Sequence, residues 1–416
     1  MFLFLSSLLI IIIFARLLGF LSKLIGQPKV VGEMLAGIII GSVFFGNLFP
    51  DLQNIIYESK EAGNLDLLSQ LGISLYMFLI GINMGQEHIN LREMKNALQL
   101  ALVSIIPTFI VLFLFTWNIY TYLNISISSQ LVYSLFMSVS ISVTAFPVLI
   151  RILEQYNMLN TNLGKRLILG ASIDDVIAWI LLPFIVAIAN FNFSLTDVNI
   201  VIYTVAYLLL MFLIIKPIFK LLVERELIGN DRIFFLAILI FLGSTLLTDK
   251  IGLHCIFGGI IAGLIVPKRN GIVQSLNLKI SDFVNTLLIP IFFVLSGINV
   301  DFNNLGKEYS ILIVVLFVLL AFGTKYISCV LYSKIVGFNW SEANVIGAMM
   351  NVRGLMILIF AKIGVDSRFI SNNEYNILFL IAIVTTILVS PLFKLSTYFK
   401  LRKYANVWES EIAEKL

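Results

Sequence analysis

Charged residues are scarce in this sequence. Only 12% of the 416 residues are Asp, Glu, Lys or Arg, whereas 59% are hydrophobic and the mean hydropathy is +1.00. This composition excludes a soluble domain, which needs far more charge on its surface. Apolar runs near the length of a membrane-spanning helix recur along nearly the whole chain. Because backbone polar groups in lipid must be satisfied within each segment, the sequence predicts an all-α integral membrane protein.

Cysteine and histidine are equally rare, with two of each. Cys255 and Cys329 lie in apolar runs, where cysteine packs as a small hydrophobic residue. Without a CxxC motif, a Cys/His cluster or an activated nucleophile, the sequence predicts no disulfide framework, no cofactor and no membrane-bound enzyme. A P-loop and a GxGxxG motif are also missing, so direct coupling to ATP hydrolysis is not expected.

The apolar runs predict about thirteen transmembrane helices, a number that Lys and Arg can test because they accumulate in cytoplasmic loops. With the N-terminus outside, twenty of the 28 Lys and Arg residues are cytoplasmic, five are external and three lie within helices. This bias explains the net charge of +4 without a nucleic-acid partner. We expect a multi-pass protein of the cell (inner or plasma) membrane with a cytoplasmic C-terminus. The predicted helices cover 3–22, 30–49, 67–85, 94–118, 130–151, 164–190, 199–222, 232–248, 253–267, 280–299, 308–334, 341–362 and 374–398.

Two pairs of segments resemble each other across the halves of the chain. Residues 35–41 (LAGIIIG) are similar to residues 257–263 (FGGIIAG). Residues 78–83 (FLIGIN) are similar to residues 294–299 (VLSGIN), so the members of both pairs are separated by nearly the same length of chain. Each pair is seven helices apart, an odd number, so the sequence predicts inverted repeats of the kind found in secondary transporters.

Four ionisable residues fall deep within predicted helices: Asp174, Asp175, Lys325 and Arg353. A charge at the bilayer centre costs roughly 2.5–3.5 kcal/mol on insertion scales, so these residues are functional candidates. Adjacent residues on a helix project about 100° apart, so the two carboxylates face different surroundings. One can pair with a base while the other holds either a proton or an oxygen-seeking cation, which predicts exchange by competition. The alternative is a salt-bridge network that only locks helices together.

Two helices are expected to be interrupted. Pro147 removes a backbone donor and clashes with the preceding turn, so the fifth helix should open near Thr144. The stretch 351–354 lies at a comparable depth in the twelfth helix, and such paired interruptions predict a midplane binding site. The alternative for Pro147 is a simple kink. The residues of this helix crossover are Ala145, Phe146, Pro147, Asn351 and Gly354.

Glu33 follows Gly32 at the start of the second helix. It is a candidate gating residue, either as a cytoplasmic-funnel acid or as a pH sensor. The alternative is an interfacial residue or a partner of Lys29.

Four motifs resemble the second monovalent cation:proton antiporter family: QPKVVGEMLAG (27–37), TAFPVL (144–149), ASIDD (171–175) and NVRG (351–354). The likeness covers essentially the whole chain. It implies a homodimer with thirteen helices, a dimerisation panel and a core that moves as a body. The implied divisions are 1–90 and 226–305 for the two parts of the panel, 91–190 and 306–398 for the two halves of the core, 191–225 for a connecting helix, and 399–416 for a short cytoplasmic tail.

The resemblance also implies roles for single residues. Asp175 would bind cation and proton in turn, with Asp174 beside it in the ion site and paired with Lys325. The crossover would hold Thr144 at the ion site and Arg353 as a compensating charge. An Asp-Asp pair with a lysine resembles the electrogenic Na⁺/H⁺ members of the family. The larger potassium-efflux and plant relatives have a cytosolic regulatory domain that is not seen in this sequence, so ligand gating is not expected.

The leading hypothesis is therefore an electrogenic antiporter that exchanges Na⁺, or also Li⁺, for protons. Its partners would be these ions, the lipid bilayer and a second copy of the chain. The same residues could serve K⁺/H⁺ exchange, since nothing in the sequence sizes the cavity. An ion-coupled symporter for an organic solute on the same architecture is the other alternative, and it would need a larger polar cavity.

Overall fold

The computed structural model describes residues 2–41, 62–83, 91–123, 125–159, 161–189, 195–225, 229–251, 255–267, 270–298, 300 and 311–413. Within these ranges the regular structure is entirely helical. The α-helices are α1 (Phe2–Leu24), α2 (Lys29–Ile40), α3 (Ala62–Asn83), α4 (Leu91–Tyr122), α5 (Gln130–Ser142), α6 (Phe146–Gln155), α7 (Asn162–Ala189), α8 (Leu195–Leu209), α9 (Lys216–Glu224), α10 (Asn230–Ile251), α11 (Cys255–Ile265), α12 (Asn270–Phe283), α13 (Ile289–Ile298), α14 (Ile311–Ile335), α15 (Trp340–Met350), α16 (Leu355–Asp366) and α17 (Asn372–Ala413). Two π-helical turns, Leu210–Ile215 and Val284–Leu288, join α8 to α9 and α12 to α13.

The prediction of an all-α membrane protein is confirmed. Every predicted apolar run overlaps a helix, and the fifth and twelfth runs are each split into two helices. Among the described residues, eight helices are long and apolar enough to span a bilayer, so this criterion alone does not establish thirteen crossings. The last helix continues to Ala413 instead of ending near residue 398, which makes residues 399–413 helical.

The chain divides into two compact units, each built from both halves of the sequence. The first unit comprises Met1–Leu18, Glu33–Asn90 and Val186–Asn299. The second unit comprises Gly19–Gly32, Leu91–Ile185 and Val300–Leu416.

Two glycine-mediated helix crossings in the first unit have the same geometry. In one, a Cβ atom at Gly297 would lie 2.9 Å from Cα of Gly37. In the other, a Cβ atom at Gly81 would lie 3.0 Å from Cα of Gly263. Only glycine allows backbones to approach so closely. The buried core beside the first crossing consists of Ile11, Ala15, Ala36, Ile40, Leu65, Ile291, Val294 and Ile298.

The crossings correct the predicted register of one repeat. Gly37 contacts Gly297 in one crossing, and Gly263 contacts Gly81 in the other. These contacts agree with the predicted correspondence between Gly81 in α3 and Gly297 in α13. The same contacts match Gly37 to Gly263, whereas the sequence comparison matched Gly37 to Gly259. The error is one helical turn, because both segments carry glycines four residues apart.

In the second unit, the two interrupted helices meet at their breaks. α5 ends at Ser142 and α6 begins at Phe146, so that Pro147 occupies the first turn of α6, where its missing N–H is not needed. α15 ends at Met350 and α16 begins at Leu355. The backbone N–H of Ala145 donates to the carbonyl oxygen of Val352 at 2.8 Å. The prediction of two discontinuous helices that cross is therefore confirmed.

Candidate ion-binding site

Asp174 is a fully buried carboxylate near the middle of α7. Three side-chain donors converge on its Oδ2 atom: Thr144 Oγ1 at 2.7 Å, Ser104 Oγ at 2.9 Å and Lys325 Nζ at 3.3 Å. The backbone N–H of Thr144 donates to Oδ1, with an N···O distance of 3.3 Å. An ionised carboxylate only accepts hydrogen bonds, so this set of donors matches a charged Asp174.

Lys325 on α14 is also fully buried and forms a salt bridge with Asp174. Its Nζ atom donates a second, short hydrogen bond to the carbonyl oxygen of Ser142, the last residue of α5. The break in the fifth predicted helix leaves this carbonyl without a helical partner, and a cation is favourable at the C-terminal end of a helix. Lys325 therefore compensates both the charge of Asp174 and the C-terminal carbonyl group of α5 that has no helical partner.

Asp175 has a different environment from its neighbour. Its side chain is 3% exposed, and its Oδ1 atom has no hydrogen-bond partner among the described residues. The backbone N–H of Phe146, at the start of α6, is within hydrogen-bonding range of the carboxyl group. A buried carboxylate with so few donors is costly when ionised, unless it takes up a proton or a cation.

Arg353 is fully buried in the stretch between α15 and α16. Its Nη2 atom donates to the carbonyl oxygen of Ala321 on α14 at 2.6 Å, and its own carbonyl accepts a short hydrogen bond from Thr386 on α17. Nε and Nη1 have no partner among the described residues, although the guanidinium interacts electrostatically with Asp174. Arg353 and Lys325 together place two formal positive charges near the carboxyl groups of Asp174 and Asp175.

The remaining crossover residues shape the backbone around these charges. Asn351 donates from Nδ2 to the carbonyl of Gly347 at 3.0 Å, while its buried Oδ1 has no partner in the described part of the chain. A Cβ atom at Gly354 would lie 2.9 Å from Cγ2 of Val148, so glycine lets α6 approach the second break. Ala145 and Phe146 contribute through their backbone N–H groups, as described above.

Glu33, the candidate gating residue, is buried with 6% of its surface exposed. It belongs to the first unit, whereas Asp174, Asp175, Thr144, Lys325 and Arg353 all belong to the second unit.

Sequence reasoning missed Ser104 and the backbone acceptors of the site. Ser104 and Thr108 are hydroxyl residues four positions apart in the otherwise apolar stretch 100–115 of α4, and both are fully buried. This spacing on one helix face was the available signal. The carbonyl groups of Ser142, Ala321 and Met350 carry no side-chain signature that a sequence could reveal.

The family model for the transmembrane region of sodium/hydrogen exchangers matches residues 8–395. The chain belongs to this sodium/hydrogen exchanger family. The resemblance to monovalent cation:proton antiporters is therefore confirmed, and with it the placement of the chain in a family of membrane transporters.

Several relatives of this exchanger align along almost its entire length. It is 34% identical over 395 residues to the Na⁺/H⁺ antiporter NhaS4 of Synechocystis sp., covering 94% of this chain and 96% of the relative. It is 27% identical to a Na⁺/H⁺ antiporter of Enterococcus hirae, covering 97% and 100% of the two chains. The K⁺/H⁺ antiporter 1 of Saccharomyces cerevisiae is 31% identical over 94% of this chain, but the exchanger spans only 46% of that longer protein.

A solved structure shares the exchanger's fold. The sodium proton antiporter MjNhaP1 from Methanocaldococcus jannaschii superimposes with a TM-score of 0.64 at 15% sequence identity. The match covers 96% of this chain and 97% of the archaeal chain. At 15% sequence identity, this likeness concerns the fold alone.

Proposed function

We propose that this exchanger is a secondary active antiporter that exchanges Na⁺, and also Li⁺, for protons by competition at Asp175. The observation that carries the proposal is the contrast between two adjacent buried carboxyl groups. Four donor groups lie within hydrogen-bonding range of the Asp174 carboxylate, whereas Oδ1 of Asp175 has no partner among the described residues. The Na⁺/H⁺ relatives from Synechocystis and Enterococcus support the choice of ion.

Competition follows from the chemistry of the Asp175 carboxyl group. A proton neutralises it and removes the cost of a buried charge. A hard cation such as Na⁺ satisfies the same oxygens when the proton leaves, with Asp174 as a second acidic ligand. Since one carboxyl group cannot hold both, uptake of one releases the other. Thr144, beside Asp174, would contribute its hydroxyl oxygen to the site.

The charges around the site support electrogenic exchange. Without a bound cation, Nζ of Lys325 forms an ion pair with Oδ2 of Asp174 at 3.3 Å. Binding of Na⁺ between the carboxyl groups would weaken this pair and allow Lys325 to release a proton as well. More than one proton would then move for each cation, and net charge would cross the membrane. Arg353 would remain as the fixed compensating charge.

Alternating access requires one part of the protein to carry the site past the other. All the candidate ion-site residues belong to the second compact unit, which supports a mobile core. We assign residues 91–190 and 306–398 to this core and residues 1–90 and 226–305 to a dimerisation panel, with 191–225 as the connecting helix. In this proposal the protein is a homodimer in a cell membrane, with an external N-terminus and residues 399–416 in the cytoplasm.

Exchange of K⁺ for protons is the second candidate function. The yeast K⁺/H⁺ antiporter 1 is 31% identical over nearly the whole of this chain, which supports testing both ions. Membership of the exchanger family weighs against an ion-coupled symporter for an organic solute.

The decisive experiment measures proton flux in proteoliposomes with a pH-sensitive dye after addition of Na⁺, Li⁺, K⁺ or choline. We expect Na⁺ and Li⁺ to drive proton movement, and we expect Asp175→Asn to abolish it. The matched control is Asp282→Asn, an exposed aspartate of the first unit that should keep full exchange. Exchange driven by K⁺ alone would favour the second function. Normal exchange by Asp175→Asn would rule out competition at this residue.

A further inference from the structure

Ser104 is a fully buried residue of α4 that lies outside every motif of the sequence. Its hydroxyl donates to Oδ2 of Asp174 at 2.9 Å. The thiol of Cys329 is also within hydrogen-bonding range of Ser104. Since a thiol is only a weak hydrogen-bonding group, the carboxylate is the stronger partner of the hydroxyl.

Backbone packing sets the contact between Ser104 and Asp174. Leu100 precedes Ser104 by one turn on α4, and Gly170 precedes Asp174 by one turn on α7. A Cβ atom at Gly170 would lie 2.8 Å from Cδ2 of Leu100, so the absence of a side chain lets the two helices approach there. One turn further along both helices, this close approach places the Ser104 hydroxyl against the Asp174 carboxylate.

The hydroxyl protons near Asp174 are limited in number. Thr144 has a single O–H group but two acceptors within range, Oδ2 of Asp174 at 2.7 Å and the carbonyl oxygen of Met350 at 2.8 Å. It can donate to only one of them at a time. When Thr144 donates to Met350 and so joins the two breaks, Ser104 is the hydroxyl that still donates to Asp174.

We propose that Ser104 is a positioning residue for cation/proton exchange. It holds the Asp174 carboxylate against Lys325 and thereby sets the charge that Asp175 meets when it binds a proton or a cation. Ser104 itself does not bind the transported ion. The inference rests on the proposed function of Asp175, and it adds a residue of α4 to the machinery of the interrupted helices.

The charged and titratable groups that surround Asp174 come from three elements. α7 contributes Asp175, α14 contributes Lys325 and Cys329, and the break before α16 contributes Arg353. The break before α6 contributes the uncharged Thr144. Removing the Ser104 hydroxyl changes none of these residues, so its effect reports on the hydrogen bonds of the hydroxyl group, of which the one to Asp174 is the stronger.

The test compares the pH dependence of Na⁺-driven exchange in proteoliposomes for Ser104→Ala and the unaltered protein. Ser104→Ala removes one of the donors that hold the Asp174 carboxylate against Lys325. We therefore expect the rate profile of the variant to be displaced along the pH axis. A shift of about one pH unit corresponds to the loss of one hydrogen bond to a charged group. The maximal rate should be retained at the new optimum. Ser104→Thr, which keeps a hydroxyl, should restore the original profile.

The matched control is Thr108→Val on the same helix. The Thr108 hydroxyl is fully buried and donates at 3.0 Å to the carbonyl oxygen of Ser104, so the variant removes a hydroxyl without removing a donor to Asp174. Its pH profile should coincide with that of the unaltered protein. An unshifted profile for Ser104→Ala, an equal shift for Thr108→Val, or a failure of Ser104→Thr to restore the profile would each overturn the proposal.

A second measurement separates this inference from the proposed function. The pH dependence of the thermal unfolding midpoint of the purified protein should differ between Ser104→Ala and the unaltered chain, and coincident curves would refute the role of Ser104. If the unaltered protein shows no cation-driven proton flux, exchange at Asp175 is refuted, while the unfolding curves still decide whether Ser104 acts on Asp174. If Ser104→Ala does not fold, Ser104→Cys replaces it in both measurements, with a smaller shift expected.

Discussion

Thr144 contacts both carboxylate oxygens of Asp174. Its hydroxyl oxygen lies 2.7 Å from Oδ2, and its backbone nitrogen lies 3.3 Å from Oδ1. Because Thr144 belongs to the stretch between α5 and α6, the break in the helix supplies an N–H group that a continuous helix would have used internally. The interruption therefore creates part of the site and does more than bend the chain.

Thr144→Val should destabilise the protein and slow exchange. Valine keeps the shape of threonine but leaves Asp174 and Met350 with one donor fewer between them, which should lower the free energy of unfolding by about 1–3 kcal/mol. Thr144→Ser keeps the hydroxyl and should retain most of the stability and flux. Unfolding in detergent and proton flux in proteoliposomes measure the two effects. Equal behaviour of the Val and Ser variants would show that the hydroxyl is dispensable.

Lys325→Ala should be strongly destabilising because it leaves the buried charge of Asp174 without its cation. Loss of one partner of a buried pair costs roughly 3–5 kcal/mol, whereas an exposed pair contributes about 0–1 kcal/mol. The matched control is Lys220→Ala, which removes the exposed pair between Lys220 and Glu224 at 3.6 Å. Similar unfolding midpoints for the two variants would contradict a structural role of the buried pair.

If Lys325 carries charge during exchange, its loss should also weaken the response of exchange to membrane potential more than it weakens Na⁺ binding. One charge moved through 100 mV corresponds to about 2.3 kcal/mol, which flux measurements at imposed potentials can resolve. An unchanged voltage response in Lys325→Ala or Lys325→Gln would argue against electrogenic coupling through this residue.

Gly297→Ala and Gly81→Ala should each destabilise the first unit, because the added methyl group meets backbone atoms of the crossing helix. Overpacking of this kind costs about 1–3 kcal/mol. Gly243→Ala on α10 is the control, since no atom lies within 4 Å of a Cβ placed there, and alanine favours a helix over glycine by up to about 1 kcal/mol. Unfolding midpoints that are equal for all three variants would refute the proposed importance of the crossings.

Na⁺ should protect the purified protein from thermal unfolding, and choline should not. A ligand at a hundredfold excess over its Kd adds about 2.7 kcal/mol to the free energy of unfolding. The protection should decrease at acidic pH, because protons then occupy Asp175, and it should be absent in Asp175→Asn. Asp282→Asn should keep it. Equal protection of the Asp175 and Asp282 variants would place the Na⁺ site elsewhere.

The repeat shows where sequence comparison reaches its limit. Segments 35–41 and 257–263 both carry glycines four residues apart, so two alignments one turn apart present the same small-residue face. Only the contacts across the helices distinguish them, and they match Gly37 to Gly263. The break at Thr144 was predictable because Pro147 affects the backbone locally, whatever packs against it.

By itself the sequence determined the membrane class, the apolar runs that form helices, their two interruptions and the unusual intramembrane charges. These properties follow from hydropathy and from the local chemistry of proline and of ionisable groups. Only the tertiary structure decided that four donor groups converge on Asp174, whereas Oδ1 of Asp175 has none among the described residues, and that Ser104 supplies one of the four. Such contacts depend on how distant helices are rotated and how closely they approach, and on backbone carbonyl groups that every residue shares, so no single stretch of sequence contains them.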